Sequence, residues 1–311
     1  MRKRGNEMSR DYAIRATSFN NQVRGFAAVT TELMSELQKR HHTWPVASAA
    51  LGRTVSAGAM MGMMLKNEKD QLTIQITGDG PLRQIVVDAD AKGRVRGYVK
   101  NPAVDLPLNG KGKLDVAKAV GNGTLHVVKD LGLKEPYRGS VRLVSGELGE
   151  DFTYYLTVSE QVPSSVGVGV LVDRDGSILA SGGFIVQVMP EASEEVVDRL
   201  EQAITALPPV TKLLHEGATP EDLLQRVLGE EMQVHHRQAI TFHCHCSKER
   251  IRTTLKGLGK KEVQQLLEEQ GEAEVICHFC NERYRVERAD LEELLQEMEA
   301  DDDPSVKDAA E

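Results

Sequence analysis

All four cysteines of this 311-residue chain fall in two tight pairs, Cys244 and Cys246 in "CHC" and Cys277 and Cys280 in "CHFC". Thirty residues separate the pairs. Two chelating pairs of thiolates match the closed tetrahedral site of structural zinc, with Zn to S near 2.3 Å. Four unrelated buried thiols would not crowd into so short a stretch. The expectation is therefore one Zn2+ per chain, held by Cys244, Cys246, Cys277 and Cys280. His243, His245 and His278 interleave with the cysteines, but four sulfurs already fill the shell, so the histidines are read as neighbours of the site. Such a site dictates how its part of the chain folds. Zinc binding contributes about 10 to 16 kcal/mol in small metal domains, more than the whole stability of many domains.

Paired thiols mean metal or redox chemistry chiefly where a reducing compartment keeps them free. The N-terminal "MRKRGNEMSRDY" leads into no apolar run of about 7 to 15 residues, so it lacks the layout of a secretory signal. The most apolar helical stretch, Trp44 to Leu65, carries Arg53 and is rich in Gly and Ala. It reads as a buried helix rather than a membrane span. A cytoplasmic protein without a membrane partner is the expectation. Charge argues against nucleic acid as a partner. Net charge is -9; residues 241–290 hold nine acidic and nine basic side chains, and residues 291–311 hold nine acidic against Lys307 alone. No segment has the basic excess that displaces counterions from a phosphate backbone.

The expected fold class is α+β, in four parts. Residues 1–188 read as an N-terminal antiparallel-sheet domain with packed helices. Helices are expected near Thr30 to Lys39 and after Trp44 and Pro45. A meander puts Leu72, Ile74 and Ile76 on one face and turns at Gly78 to Pro81 and at Lys92 and Gly93. Further strands are expected in "TLHVVKDLG" and "GSVRLVSG", and a hairpin near Asp175 and Gly176. Residues 189–237 read as a metastable helical linker. Val196, Val197, Leu200, Ala203, Ile204 and Leu207 follow helical spacing, and Thr219 and Pro220 open a second helix with Leu223, Leu224, Val227 and Leu228. Helices shorter than about 12 to 15 residues are marginal alone, so this segment must pack on its neighbours. Residues 238–299 read as a small C-terminal zinc-binding domain: a helix from Gly259 to Gly271, a strand, a knuckle at Cys277 to Cys280, a return strand, and a closing helix. Residues 300–311 read as an acidic disordered tail.

Other motifs fail on inspection. "DADAKG" from Asp88 begins like a calcium loop, but Lys92 and Val99 stand where oxygen ligands are needed. "NGKGK" lacks the spacing of a phosphate loop. Met60, Met61, Met63 and Met64 read as core packing. No Ser, His and acid set stands out, and nothing demands an enzyme. A metal-free CxxC redox catalyst would need a thioredoxin-like unit, which the strand, knuckle and strand around Cys277 do not suggest. Closely packed thiolates do become nucleophilic toward peroxide once the metal's hold loosens.

The chain resembles the heat-shock protein 33 family of redox-regulated chaperones. The resemblance rests on "GDGPL" and "RGYV" in the meander, "DLGLKEPYRGSVRLVSGE", "YYLTVSEQVPSSVGVGV", "GGFIVQ" and "MPEA", then "FHCHCSKER" and "CHFCNERY". It spans nearly the whole chain; the basic extension before Asp11 and the acidic tail after Met298 depart from it. It implies a zinc-bound, inactive, reduced monomer. Oxidation would convert it to an ATP-independent holdase for unfolding client proteins, often as a homodimer. A zinc-ribbon-type nucleic-acid or ribosome binder is the alternative. Four cysteines allow three disulfide connectivities. Loop-closure entropy in the opened chain favours neighbours, and the resemblance implies the same pairs, Cys244 with Cys246 and Cys277 with Cys280. The CxxC pair is expected to close first, because the CxC ring is tighter.

Overall fold

The computed structural model describes residues 10–302. The chain opens with β1 (Tyr12–Ser18), β2 (Val23–Val29), α1 (Thr31–His41) and α2 (Pro45–Gly62). A meander of β3 (Gln71–Gly78), β4 (Gln84–Asp90) and β5 (Arg94–Val99) leads to α3 (Val116–Val120), β6 (Gly123–Asp130), β7 (Tyr137–Arg142) and α4 (Gly149–Val158). The hairpin β8 (Ser164–Val172) and β9 (Ile178–Val188) precedes α5 (Glu194–Ala206), α6 (Val210–His215), α7 (Pro220–Leu228), β10 (Gln233–Ala239) and β11 (Thr241–Phe242). The rest holds α8 (Lys248–Lys256), α9 (Lys260–Glu269), β12 (Ala273–Ile276), β13 (Arg283–Val286) and α10 (Arg288–Asp302).

The chain divides into two compact units between His243 and Cys244. The expected linker packs on its neighbours, as short helices require. Residues 189–237 pack within the first unit, and residues 238–243, assigned from sequence to the zinc domain, pair with its sheets. Residues 300–302 of the expected acidic tail close α10; the remainder of that tail and the basic residues 1–9 lie outside the described residues.

In the first unit one sheet runs β10-β1-β2-β9-β8 and a second β11-β5-β4-β3-β6-β7. Helix α2 lies between them, buried nearly all round, as a helix apolar on every face must be. Small residues let both layers close on it. A Cβ at Gly52 would stand 2.5 Å from Val170 Cγ2, and one at Gly58 would stand 3.0 Å from Val87 Cγ1. Met60, Met61 and Met63 are core residues. No helix among the described residues is long and apolar enough to cross a membrane.

The inner strands β1, β2 and β9 of the first sheet are covered on both faces. Strand alternation sends Ala13, Phe26, Ala28 and Ile185 toward α2, while Ile14, Ala16, Ala27, Phe184 and Val186 meet the helices of 189–228. Helix α7 starts with a capping box, Thr219 Oγ1 accepting from Asp222 N–H at 3.2 Å and the Asp222 carboxylate accepting from Thr219 N–H at 2.8 Å. It seats Leu223, Leu224, Val227 and Leu228 on the sheet. Gly25 of β2 makes that approach possible, since a Cβ there would stand 2.8 Å from Leu228 Cδ1 and 3.0 Å from Leu224 Cδ2. Helix α5 sits less closely. Val196 and Leu200 are buried, yet a cleft of about 400 Å³ remains between α5 and the β8–β9 hairpin, lined by Pro163, Ser164, Val186, Val188, Val197 and Ile204 among others.

Asp11 joins three parts of this unit. Its carboxylate accepts from Glu32 N–H at 3.1 Å and Leu33 N–H at 2.7 Å at the start of α1, and its carbonyl accepts from Ile240 N–H at 3.0 Å. Burial pushes its pKa up to about 7 against the lowering pull of those donors. A raised carboxyl pKa contributes stability below about pH 4 that is lost as pH rises through about 7. Asp11→Asn is expected to flatten unfolding stability between about pH 4 and 7, where the natural chain loses at most about 1.4 kcal/mol per pH unit from this group. Equal pH slopes for the two proteins in denaturant titrations would contradict this.

Candidate metal centre

The second unit packs α8, α9, α10 and the β12–β13 hairpin around Ile251, Leu255, Val263, Leu267, Leu291, Leu294 and Leu295. This is a small core, and small domains bury too little apolar surface to be secure without a staple. All four cysteines gather beside it. Cys244 and Cys246 lie in the irregular segment that ends at Ser247, whose hydroxyl caps α8 by accepting from Arg250 N–H at 3.3 Å. Cys277 and Cys280 occupy the turn joining β12 to β13. Cys277 N–H donates to Glu282 carbonyl at 2.9 Å, and Asn281 N–H donates to Cys277 carbonyl at 2.8 Å. Asn281 takes the left-handed conformation at φ 57° that closes this knuckle, one Asn tolerates better than most residues.

The four sulfurs all lie within 4.8 Å of one another. Cys244 Sγ is 3.7 Å from Cys277 Sγ, and Cys246 Sγ is 3.2 Å from Cys280 Sγ. Sulfurs at about 2.3 Å from a central tetrahedral ion stand about 3.8 Å apart, so the donor set fits one metal ion. Among the described residues the donor cluster comprises these four cysteines; His243, His245 and His278 are not in it.

Burial pushes the thiols of Cys277 and Cys280 up, and for Cys280 the neighbouring sulfurs of Cys246, Cys277 and Cys244 add to the rise. Such thiols hold their protons at neutral pH unless a cation supports the thiolate form. Tyr284 completes the site and is absent from the sequence reading. Its hydroxyl donates to Cys246 Sγ at 3.0 Å. That hydrogen bond, with some burial, pushes the phenol's pKa up, so it stays a donor. A signal was available: in β13 exposed Arg283 and Arg285 alternate with half-buried Tyr284 and Val286, which turns Tyr284 inward four residues after Cys280. Tyr284→Phe is expected to weaken metal binding about tenfold, the usual scale for groups that hold a ligand in place. Competition with a chelator measures it, and unchanged affinity would remove Tyr284 from the site.

The sequence profile of the family described as Hsp33 protein matches residues 11–287. The chain is similar to the 33 kDa chaperonin of Bacillus subtilis (strain 168), 55% identical over 285 residues, covering 91% of this chain and 98% of that one. It is also similar to the 33 kDa chaperonin of Staphylococcus aureus (strain Newman), 50% identical over 293 residues, covering 94% and 100%. The crystal structure of the 33 kDa chaperonin (heat shock protein 33 homolog) of Thermotoga maritima superposes with a TM-score of 0.87 at 41% identity, covering 94% of this chain and all of that one.

Proposed function

The chain belongs to the heat-shock protein 33 family of chaperones, and we propose that it is a redox-regulated, ATP-independent holdase of the cytoplasm. The reduced protein holds one Zn2+ through Cys244, Cys246, Cys277 and Cys280 and is inactive. Oxidation of the four thiols lets the metal go, unfolds the second unit and loosens residues 189–243. The exposed surfaces then bind unfolding proteins and keep them from aggregating, with the active form a homodimer. The observation that supports this best is the gathering of the four sulfurs within 4.8 Å beside a core of few residues.

Zinc, when bound, supplies the charge that keeps the thiolates ionised and ties two chain segments together. Everything else is done by the protein. A thiolate attacks peroxide, the S–O bond forms as the O–O bond breaks, and a sulfenic acid and a hydroxide result, the hydroxide taking a proton from solvent to leave as water. A neighbouring thiol then attacks that sulfur, forming the disulfide and releasing a second water. Two pairs consume two peroxides and lose four electrons. The second unit is thereby left with its small apolar core and exposed ion pairs such as Arg252–Glu293 and Arg283–Glu274, which contribute little. The chain reaches Cys244 directly from β11, so disorder beginning there starts at the end of the docked segment.

Sulfur positions in the ordered site do not by themselves select neighbours, because Cys246 and Cys280 are 3.2 Å apart. Neighbour pairing follows from loop-closure entropy once the segments separate. Non-reducing peptide mapping through a peroxide time course is expected to find Cys277 joined to Cys280 first and Cys244 to Cys246 later. A dominant peptide joining Cys246 to Cys280 would contradict this. The functional reading is tested by light scattering of a heat-unfolded client with reduced, zinc-loaded protein and with peroxide-treated protein. Only the treated protein is expected to suppress aggregation; equal effects in both states would remove the switch.

A further inference from the structure

Residues 233–242 close one edge on each of two sheets. Strand β10 pairs antiparallel with β1, from Tyr12↔Ala239 to Thr17↔Gln233, with a register shift between Arg15 and Ala16. Strand β11 pairs parallel with β5, Thr241↔Arg94 and Phe242↔Val95. In the sheet orders β1 otherwise meets only β2, and β5 only β4. Without this segment each sheet ends in a bare edge, which is a template for any extended chain.

What holds β10 in place is chiefly its backbone. Gln233, Val234, His235, His236, Arg237 and Ala239 are exposed, and Gln238 is half-buried. Side-chain contacts are few and lie at the surface: His235 with Thr17 at 2.7 Å, Arg237 over the Tyr12 ring at 3.7 Å, and Gln238 donating to Ala91 carbonyl at 2.9 Å. Strand β1 beneath is built differently, with Ala13, Ile14 and Ala16 buried on its two faces. It therefore stays part of the sheet whether or not β10 is present. The Ile240 N–H to Asp11 carbonyl bond marks the 11–240 pairing as a hydrogen-bonded one. By the antiparallel alternation, Ala13–Gln238 and Arg15–His236 are hydrogen-bonded pairs too. The edge thus offers main-chain donors and acceptors in a row and asks almost nothing of its occupant's side chains.

We propose that the β1 edge is a client-binding site. When β10 leaves, an extended segment of an unfolding polypeptide takes its place as an added antiparallel strand, and in the resting protein β10 is the strand that blocks it. The occupant is an extended backbone because that is what the edge already holds, with side chains turned to solvent. Recognition through the main chain selects for unfolded character rather than sequence. This deepens the holdase reading and rests on it for the step in which oxidation frees β10.

The test is amide hydrogen exchange at Ala13 and Arg15, read in peptides covering 12–17, with carboxymethylated, permanently unfolded α-lactalbumin as the client. Oxidation is expected to speed exchange there about 100-fold or more, and saturating client to slow it again at least about tenfold. A second arm needs no oxidation. His236→Pro removes a donor in the middle of β10, so the reduced, zinc-loaded variant is expected to bind the client and to show the same loss and recovery at 12–17. Client binding, followed by anisotropy, without recovery at 12–17 in either arm overturns the edge site while leaving the holdase reading intact. Recovery in the variant but no effect of oxidation upholds the edge site and removes the redox step. Protection that returns with protein concentration alone assigns the edge to a second copy of the chain and overturns the proposal.

Discussion

Replacing Cys280 with serine is expected to abolish stoichiometric metal binding and to unfold residues 244–302 while the first unit stays folded. Cys280 is the most buried of the four cysteines, 4% exposed, and its sulfur stands 3.2 Å from that of Cys246. A serine hydroxyl does not ionise near neutral pH and is a poor match for a soft thiolate site. Losing one of four donors removes most of a binding free energy of about 10 to 16 kcal/mol, which in small metal domains is folding free energy. The core that remains, from Ile251 to Leu295, buries few side chains. Zinc analysis together with hydrogen exchange of 248–298 measures the effect. Full zinc occupancy, or a second unit that stays protected without metal, would contradict it. The same variant is expected to suppress client aggregation under reducing conditions.

Undocking α7 is the second large effect. Leu224 and Leu228 are 0% and 1% exposed and rest over Gly25. Truncating a buried Leu to Ala costs about 2 to 5 kcal/mol. Two such losses exceed what a helix of nine residues retains once its burial is gone. Leu224→Ala with Leu228→Ala is therefore expected to expose the sheet face formed by Ile14, Ala16, Ala27, Phe184 and Val186. The double variant should hold clients while reduced, with one zinc still bound. Hydrogen exchange of α2, which belongs to the separate core between the sheets, shows whether the first unit stays folded. A folded, zinc-loaded double variant with α7 unprotected and no effect on aggregation would contradict the proposal that surfaces uncovered by loosening 189–243 hold clients.

How much was legible in the sequence depended on what holds each element. The cysteine cluster was readable because two chelating pairs at close spacing point to one donor set, and the fold brings all four sulfurs within 4.8 Å of one another. The meander was readable because Leu72, Ile74 and Ile76 alternate with half-buried or exposed neighbours, and α7 because Thr219, Pro220 and its leucines obey capping and helical period together. Strands β1 and β2 were missed, since a sheet buried on both faces loses its alternation. Helix α4, "GEDFTYYLTV", is rich in aromatic and β-branched residues. It is set by Asp151, whose carboxylate accepts from the N–H groups of Val144, Ser145 and Leu148. Strand β10 was invisible for the opposite reason: polar and exposed, it is specified by an edge supplied from the other end of the chain. That long-range pairing, with the β11–β5 pairing, groups residues 238–243 with the first unit.

The most direct test of the switch follows zinc release, with a colorimetric chelator, and suppression of client aggregation in the same sample through a peroxide time course. The two traces are expected to rise together, to end at one zinc released per chain, and to reverse together on reduction with zinc present. Full suppression while zinc remains bound, or full release with no suppression, would contradict the coupling of metal loss to chaperone activity.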